Sequence, residues 1–465
     1  MKPNVTMHHA GGNAAAAVSA NSSIVVSNSS QSFYTFAGAG RDVNGTEGVL
    51  CDLWQYDLEI EQARWISGVQ DPAPASVMGT IGVEAEGNRP GGRGAPLFCK
   101  GADGMFYLYG GDGMTANAGL GYLASLDDLW RFNPITKKWA CLIAPSSVAG
   151  VNAVPGSAGV EGPTVKPGSR SNGAMFATAG YLWLFGGNFT GTSGTTLKQS
   201  SDLYRYNLAT GEWAYMAGPT NGNTNGVYGV MGTPDVANYP GGRNGPGIFV
   251  TYDNKFWLFG GLGYAETGGS GRLGDLWMFD PALGANGEWT WLNGSKVTST
   301  FAAYGITGDY DSGAVPGALS RRCGTWIKND ILYFFGGFGR AGSGSDSRLN
   351  AMWGYDFAQN KFAYLAGTQA TNDPGTWGTK GTPDVGNVAS AREYVNTCLA
   401  PDGLLWLGFG FGYQSSGTTG QLNDLWTFNT DTLEWCWQFG DDGINQIPVV
   451  PGALHVGDPT NKPSS

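Results

Sequence analysis

The stretch GDLWMFD at residues 274–280 decides the fold of this chain, because it returns in recognisable form five more times. Its central aromatic residue is Trp277. The equivalent residues are Trp54, Trp130, Tyr204, Trp353 and Trp426, so the successive spacings are 76, 74, 73, 76 and 73 residues. A supersecondary unit that recurs this regularly buries its open faces against copies of itself. The chain of 465 residues is therefore a repeat protein with six copies of one unit.

Each copy contains four strand patterns, which the fourth copy illustrates. GIFVTY at 247–252 and KFWLFGG at 255–261 are apolar runs joined by an Asp-Asn turn, a pattern that predicts a β-hairpin. GDLWMFD alternates with the period of a strand, and EWTWLNG at 288–294 supplies a fourth strand. Four short antiparallel strands repeated six times predict an all-β fold, a six-bladed β-propeller.

The sixth copy carries the most specific pattern, GLLWLGFGFGYQSSGTTGQLNDLWTFNTDTLEWCW at 403–437. Across the copies, a glycine pair closes the second strand, a variable loop follows, and an aromatic strand ends in Asp or Asn ahead of a Trp. This pattern resembles the kelch repeat, in particular the glycine-rich kelch repeats of bacterial and other extracellular proteins. The resemblance covers about residues 20–440. It implies a kelch β-propeller, a fold that serves binding modules, scaffolds and a few enzymes.

The predicted blades occupy about residues 20–68, 93–143, 170–217, 243–294, 320–366 and 391–440. Residues 1–19 form an N-terminal arm that is either disordered or helps to close the ring, and the tail at 441–465 resembles an inter-blade loop. Kelch units usually contain about 50 residues, and the surplus here lies between the fourth strand of one blade and the first strand of the next. These segments resemble one another, so we expect them to form a layer on one face of the disc.

Composition limits the partners of the protein. A net charge of −11 argues against nucleic acid and acidic membrane surfaces, which need clustered Lys and Arg. No run of 18 apolar residues is present, so we expect no membrane insertion. The six cysteines form no metal-binding spacing. Cys99 and Cys398 occupy a slot that holds Phe176 or Phe249 in other repeats, which predicts that these thiols are small core hydrophobes.

The location of the protein is only weakly indicated. The alanine-rich stretch at 11–20 is too short for the apolar core of a signal peptide. The type of repeat and six N-x-S/T sequons favour an extracellular or cell-surface location, and a cytoplasmic location is the alternative. The sequons are at Asn4, Asn21, Asn28, Asn44, Asn188 and Asn293.

Two sets of charged residues recur with the repeat. Arginines precede the first strands, and aspartates open the third strands. The two sets are Arg93, Arg170, Arg243, Arg322 and Arg392, and Asp52, Asp128, Asp202, Asp275 and Asp424. One hypothesis is a ring of guanidinium groups that binds an anionic ligand. The other is that each Arg and Asp fix the loops of their own blade by hydrogen bonds, and we favour it because function usually lies where repeats differ.

Catalytic alternatives have little support in the sequence. Copper oxidases of the galactose oxidase type require histidine ligands, but the three histidines, His8, His9 and His455, all lie outside the blades. We therefore expect no metal or other cofactor and no Ser-His-Asp triad. Six-bladed kelch mutarotases resemble this blade count and need only a carboxylate and an arginine. Glu393 beside Arg392, or Asp253 in a hairpin turn, is the candidate carboxylate for this alternative.

The loops between second and third strands lie on one face of the predicted propeller and differ in sequence. Three of their residues, Tyr264, Arg340 and Tyr413, are of the types that anchor protein interfaces and stack on sugars. Glycine in these loops also has a purely conformational explanation. The resulting hypothesis is a non-enzymatic binding or assembly module for a protein or carbohydrate partner, either alone or within a larger assembly, with the mutarotase-type enzyme as the alternative.

Overall fold

All regular structure in the described part of the chain is antiparallel β-strand. A computed structural model describes residues 23–27, 32–41, 46–57, 62–69, 71–114, 124–146, 150–190, 197–251, 253–310, 313–321, 323–400, 402–422 and 424–440. Within these ranges the strands pair with their neighbours in sequence and no helix occurs. The prediction of an all-β fold is confirmed.

Each of the six sequence repeats forms one four-stranded sheet, and we number the sheets 1 to 6 in chain order. The strands are Ser23–Ser27, Ser32–Arg41, Glu47–Asp57 and Gln62–Ser67 in sheet 1; Leu97–Lys100, Phe106–Tyr109, Leu129–Asn133 and Lys138–Ile143 in sheet 2; Ala174–Thr178, Tyr181–Thr190, Leu197–Asn207 and Glu212–Ala217 in sheet 3; Gly247–Val250, Phe256–Gly263, Gly271–Asp280 and Glu288–Gly294 in sheet 4; Gly324–Lys328, Ile331–Phe335, Met352–Asp356 and Lys361–Ala366 in sheet 5; and Asn396–Leu399, Leu405–Gly408, Leu425–Asn429 and Glu434–Phe439 in sheet 6.

Shorter strands extend the ladders at one end of the sheets. They are Arg93–Gly94, Asp112–Gly113, Ala124–Ser125, Arg243–Asn244, Leu319–Ser320, Phe338–Gly339, Ser347–Arg348, Arg392–Glu393, Phe411–Tyr413 and Thr419–Gln421. A further short strand, Glu161–Gly162, instead pairs with the fourth strand of sheet 3 at its edge. The glycine pair predicted to end the second strand lies inside that strand in sheet 4, where the register of the ladder shifts between Phe259 and Gly261. Gly260 has φ +63°, and a Cβ there would lie 2.7 Å from the carbonyl oxygen of Leu319 in the next repeat. Glycine is required because backbone from another sheet approaches closely.

The first strands of the sheets lie side by side. Each contacts the first strand of the next sheet, and Ser23–Ser27 contacts both Leu97–Lys100 and Asn396–Leu399. Hydrogen bonds join three of them, because Thr325 Oγ1 donates to Ile248 O at 3.2 Å and Thr397 Oγ1 donates to Thr325 O at 3.1 Å. Successive sheets are therefore packed against each other along their first strands.

Aromatic side chains fill the space between successive sheets. Phe176 of sheet 3 stacks on Phe256 of sheet 4 with ring centroids 4.1 Å apart, and Phe259 of sheet 4 packs 4.8 Å from Phe334 of sheet 5. Trp277, the repeated aromatic of the third strand, is fully buried in a cluster shared by sheets 3 and 4. Burying one such side chain contributes about 4–6 kcal/mol, at about 25 cal/mol per Å².

The segments that connect one sheet to the next fold back on themselves and cover a sheet edge. We call residues 71–92, 144–169, 219–242, 295–318 and 368–391 the linking segments. Each closes through a β-bridge such as that between Val227 and Tyr239. Its tip then bonds to the fourth strand of the following sheet, as Asp235 does to Trp289 and Gly308 N does to Tyr364 O. The linking segments thereby protect an edge strand that would otherwise be open.

A buried asparagine fastens three of the five linking segments. Asn238 Nδ2 donates to Thr233 O at 3.1 Å and to Trp289 O at 3.2 Å, which joins the segment to sheet 4. A Cβ on Gly229 would lie 2.4 Å from Asn238 Oδ1, so only glycine fits there. Asn88 and Asn387 make the same pairs of bonds in two other segments. In the remaining two, the residues packed against the equivalent glycines are Val165 and Ala314.

Candidate functional site

The repeated arginines and aspartates form buried ion pairs inside the repeats. Arg243 donates from both terminal nitrogens to Asp275 at 2.8 Å and also to the carbonyl oxygens of Gly241 and Gly260. Both side chains are 0% exposed. The pairs Arg93–Asp128, Arg170–Asp202 and Arg392–Asp424 have the same geometry. Each of these guanidinium groups is buried and paired within its own repeat, so it is closed to an external anion. This supports the hypothesis that the arginines and aspartates fix the loops of their own repeat.

The fifth repeat does not follow the prediction that Arg322 fills this arginine slot. Leu319 pairs with Gly339 in the way that Arg243 pairs with Gly263, so Leu319 occupies the slot, and Arg322 lies outside the described residues. The aspartate slot holds Ala351, and both residues are buried in one apolar cluster. The prediction rested on residue type, and it failed by three positions because the slot holds a leucine in this repeat while the arginines lie further along LSRRCG, which is also one residue longer than its counterparts.

Asp52 fills the aspartate slot of the first repeat, whose sequence has no arginine before the first strand. Its side chain is buried and accepts a hydrogen bond from Trp54 Nε1 at 2.5 Å. Burial raises the pKa of Asp52, and the bond from Trp54 opposes that effect. Among the described residues, no lysine or arginine forms an ion pair with Asp52.

Two of the three predicted contact residues, Arg340 and Tyr413, belong to one side-chain cluster. We define the arginine cluster as Arg272, Arg321, Arg340 and Arg348 with the carboxylates Asp346 and Glu393. Arg272, Arg321 and Arg348 lie over the ring of Phe338, and Arg340 joins them through Asp346. Tyr413 lies at its edge, with its ring centroid 5.9 Å from the guanidinium carbon of Arg348. Tyr264 lies outside the cluster, half-buried after the second strand of sheet 4, where its N–H donates to Gly242 O.

The two carboxylates each bridge two guanidinium groups. Asp346 forms ion pairs with Arg272 and with Arg340, the latter at 2.5 Å. Glu393 accepts from Arg348 Nη2 at 2.8 Å and from Arg321 Nη1 at 3.1 Å. Four positive groups therefore face two negative ones, and the cluster keeps an excess of positive charge in a chain whose net charge is −11.

Aromatic rings hold the guanidinium groups in place. Phe338 has the guanidinium carbons of Arg272 and Arg321 each 4.6 Å from its ring centroid. Arg348 lies 4.5 Å from the centroid of Phe411, which pairs with Glu393 along the short strand of sheet 6. Cations over aromatic faces are attracted by the ring quadrupole, worth about 0.5–1 kcal/mol when exposed and more when desolvated. The arginines are thus preorganised by the protein.

The cluster is open to solvent on one side. Glu393 is 1% exposed at the base, Arg348 and Arg272 are each 16% exposed, and Arg321 is 45% exposed. Burial lowers the pKa of Arg272 against the effect of Asp346, and the neighbouring Arg321 and Arg340 lower it further. The Nε atoms of Arg272 and Arg348 are buried and have no hydrogen-bond partner within the described part of the chain. The site thus contains unsatisfied positive donors.

Backbone geometry that is common to the repeats presents Arg321. The residue two positions after the arginine slot has a left-handed backbone in five repeats. These residues are Ala95, Asn172, Gly245, Arg321 and Tyr394, with φ between 53° and 59°. Their backbones bond from one sheet to the next, as Tyr394 N does to Arg321 O at 3.0 Å. A left-handed non-glycine residue costs about 1–3 kcal/mol, and the recurrence of this conformation in five repeats shows that it serves the packing of the sheets. The backbone path is shared, whereas the side chain is specific to each repeat.

The two carboxylates considered for catalysis have different surroundings. Both oxygens of Glu393 accept from guanidinium groups, and its side chain is buried below them. Asp253 lies in the hairpin turn at the other end of sheet 4, where it bonds to Thr251 and pairs with Lys255 at 3.0 Å. Burial raises the pKa of Asp253, but the bonds from Thr251 and Lys255 outweigh it and the pKa is lowered. The structure brings Glu393, and not Asp253, to the arginines.

Several other features complete the description of the chain. Cys99 and Cys398 are buried free thiols, which confirms that they pack as core residues. Asn188 is 0% exposed, so its sequon is inaccessible in the folded protein. Over the described ranges, no three His, Cys, Asp or Glu side chains are grouped to hold a metal ion, and no helix there has the length and apolarity to cross a membrane. His8, His9 and His455 lie outside these ranges.

Comparison with known proteins adds no identification. No protein-family model matches the chain, and no curated protein matches its sequence. The arginine cluster is therefore interpreted from its own geometry.

Proposed function

We propose that this chain is a six-bladed β-propeller of kelch type that acts as a non-enzymatic binding module. Its partner would bind at the face that carries the arginine cluster and the loops between second and third strands. The observation that carries the proposal is that Arg321, the most exposed arginine of the cluster, occupies a position where the repeats share a backbone conformation but differ in side chain.

The closed ring is supported by the series of contacts between first strands. Each first strand contacts the next one, and Ser23–Ser27 of sheet 1 contacts Asn396–Leu399 of sheet 6. Four antiparallel strands in sequence order per sheet are typical of propeller blades. We propose that the linking segments form the outer part of the disc, because their tips bond to fourth strands.

Binding rather than catalysis is supported by the contents of the site. The cluster offers fixed guanidinium donors held by aromatic rings, which is typical of recognition surfaces. Glu393 is the one carboxylate at its base, and its proton-accepting oxygens are both engaged by Arg321 and Arg348. A mutarotase needs a carboxylate that can reach the anomeric hydroxyl of a sugar, so this alternative requires Glu393 to leave its partners.

Two measurements on the purified full chain test the proposal. The first screens immobilised glycans and proteins for binding and repeats each hit with Arg340→Ala and Tyr413→Ala. We expect binding to weaken by about tenfold or more in each variant, equivalent to about 1.4 kcal/mol. Lys255→Ala is the matched control, because Lys255 is also a half-exposed, ion-paired cation but lies at the opposite end of sheet 4. Equal losses in the control would contradict the proposed face.

The second measurement follows anomer exchange of neutral and acidic sugars by proton NMR, with and without the protein. We expect no acceleration by the wild-type chain. If the wild-type chain does accelerate exchange, and Glu393→Gln abolishes this without changing the thermal unfolding midpoint, the hypothesis of a mutarotase-type enzyme is supported and that of a binding module is contradicted.

A further inference from the structure

We infer that the arginine cluster recognises the carboxylates of an acidic segment of a partner protein. This inference rests on the proposed function and adds the chemistry of the partner. It follows from three properties of the cluster, namely its charge, its unused donors and the occupation of its aromatic faces.

The charge of the cluster opposes that of the whole molecule. The chain has 26 Lys and Arg against 37 Asp and Glu, yet three arginines lie over the ring of Phe338, and a fourth, Arg340, joins them through Asp346. Mutual repulsion among like charges is relieved when an anion binds between them. The net charge of −11 disfavours an acidic segment elsewhere on average, whereas the excess of arginine at the cluster attracts it.

The donors of the cluster match carboxylates in number and geometry. A guanidinium group has five N–H donors in a planar fork that suits the two oxygens of a carboxylate. Arg321 donates to Glu393 from Nη1 and is 45% exposed, which leaves the other side of its fork toward solvent. Arg348 donates from Nη2 to Glu393, and its Nε is buried, so that atom is closed to a partner. The fork of Arg321 therefore has capacity for a further carboxylate.

The aromatic faces do not favour a neutral sugar. A sugar stacks on an open ring face, but Phe338 has guanidinium groups of Arg272 and Arg321 against it, and Phe411 has that of Arg348. Hydrogen-bonding edges with a positive charge select anionic groups over neutral ones.

A carboxylate of the protein itself already pairs with two of the four arginines. Asp346 lies in the glycine-rich loop GRAGSGSD at 339–346, and it is held by Arg272 and Arg340. An aspartate on a loop thus fits between two of these arginines without any special geometry of the main chain. The cluster also draws residues from sheets 4, 5 and 6, so it extends far enough to meet more than one acidic side chain of an extended segment.

The test uses fluorescein-labelled octaglutamate as the probe and measures its anisotropy with the purified full chain at low salt. The comparison probes are an octamer of alternating glycine and serine, an oligogalacturonate of similar charge, and inorganic sulfate as competitor. We expect octaglutamate to bind, the glycine-serine peptide not to bind, and affinity to fall steeply as salt screens the charges.

Variants locate the binding. Arg321→Gln and Arg348→Gln are expected to weaken octaglutamate binding by about tenfold or more, and Arg321→Lys by an intermediate factor because lysine lacks the fork. Arg131→Gln is the control, since Arg131 is a partly exposed arginine of sheet 2 that pairs with Glu84 at 3.3 Å. Arg321 and Arg348 both pair with the buried Glu393, so their substitution could perturb folding, which thermal unfolding measures. In that case Arg340→Gln is used instead, because Arg340 pairs with Asp346.

Each contrary outcome has a defined meaning. Binding of octaglutamate that is unchanged by Arg321→Gln, or no better than that of the glycine-serine peptide, overturns the inference. Oligogalacturonate binding tenfold or more tightly than octaglutamate also overturns it, in favour of an acidic glycan. In either case, the proposed binding function is still supported if the screen of immobilised glycans and proteins finds a partner whose binding depends on Arg340 and Tyr413. If the screen finds no such partner, the proposed function and this inference are both contradicted.

Discussion

The repeated aspartate of the third strand is buried in every repeat that has it, but its charge is not compensated in the same way in each. In four repeats a buried aspartate meets a buried arginine, and in the fifth both are replaced by the apolar Leu319 and Ala351. Exchange of a buried ion pair for apolar residues is often neutral in stability, whereas loss of one partner costs about 3–5 kcal/mol. The first repeat keeps the carboxylate of Asp52 with a tryptophan donor.

Asp52 and Asp128 are therefore expected to respond in opposite ways to the same substitution. The folded-state pKa of Asp52 is raised, so the native state binds its proton more tightly than the unfolded chain does. Its contribution to stability is present below about pH 4, the unfolded pKa, and is lost as the pH rises toward the folded value. Asp52→Asn should stabilise the protein at pH 7, and the gain should shrink toward pH 4. Urea unfolding at several pH values measures both effects.

Asp128→Asn is the matched comparison, because it leaves the buried Arg93 without its anionic partner. We expect it to lower the free energy of unfolding at pH 7 by about 3 kcal/mol or more. Destabilisation of similar size by Asp52→Asn would show that Asp52 is also paired with a cation.

At the level of strands and segments, most of the pattern could be predicted from local sequence. The fourth strand of the fourth repeat was placed at 288–294 and is Glu288–Gly294. Alternation and turn residues fix such elements within a few residues of chain. The arginine cluster could not be predicted in this way, because Arg272, Arg321 and Arg348 lie in different loops and meet only through sheet packing. For Arg321 alone, the local sequence contained an indication, because a charged residue stands there where the other repeats have a small or an aromatic residue.

The linking segments are expected to depend on their buried asparagine. Asn238→Ala removes two hydrogen bonds, so the carbonyl oxygens of Thr233 and Trp289 each lose one donor, the second of them in a buried position. We expect a loss of about 1–3 kcal/mol in the free energy of unfolding. Amide hydrogen exchange should also accelerate in Glu288–Gly294, the strand that the segment covers. Asn221→Ala, an exposed position of the same segment, should change neither measurement.

At the scale of the whole molecule, the proposed ring makes a prediction about size. A closed ring of six sheets is compact, and a compact chain of 465 residues has a radius of gyration of about 23 Å. Small-angle X-ray scattering on the monomer should give this value and a distance distribution with a single maximum. A markedly larger radius with an extended tail would indicate an open arc, in which Ser23–Ser27 and Asn396–Leu399 are apart.

The asparagines of the linking segments also have a consequence for the origin of the chain. Asn88, Asn238 and Asn387 are 150 and 149 residues apart, about twice the period of the aromatic anchors, and the intervening segments have Val165 and Ala314. Even-numbered sheets are fastened by an amide and the odd-numbered sheets 3 and 5 by apolar contact. We infer from this alternation that a pair of sheets, rather than a single sheet, is the unit that was copied, because the asparagine bonds recur with every second sheet.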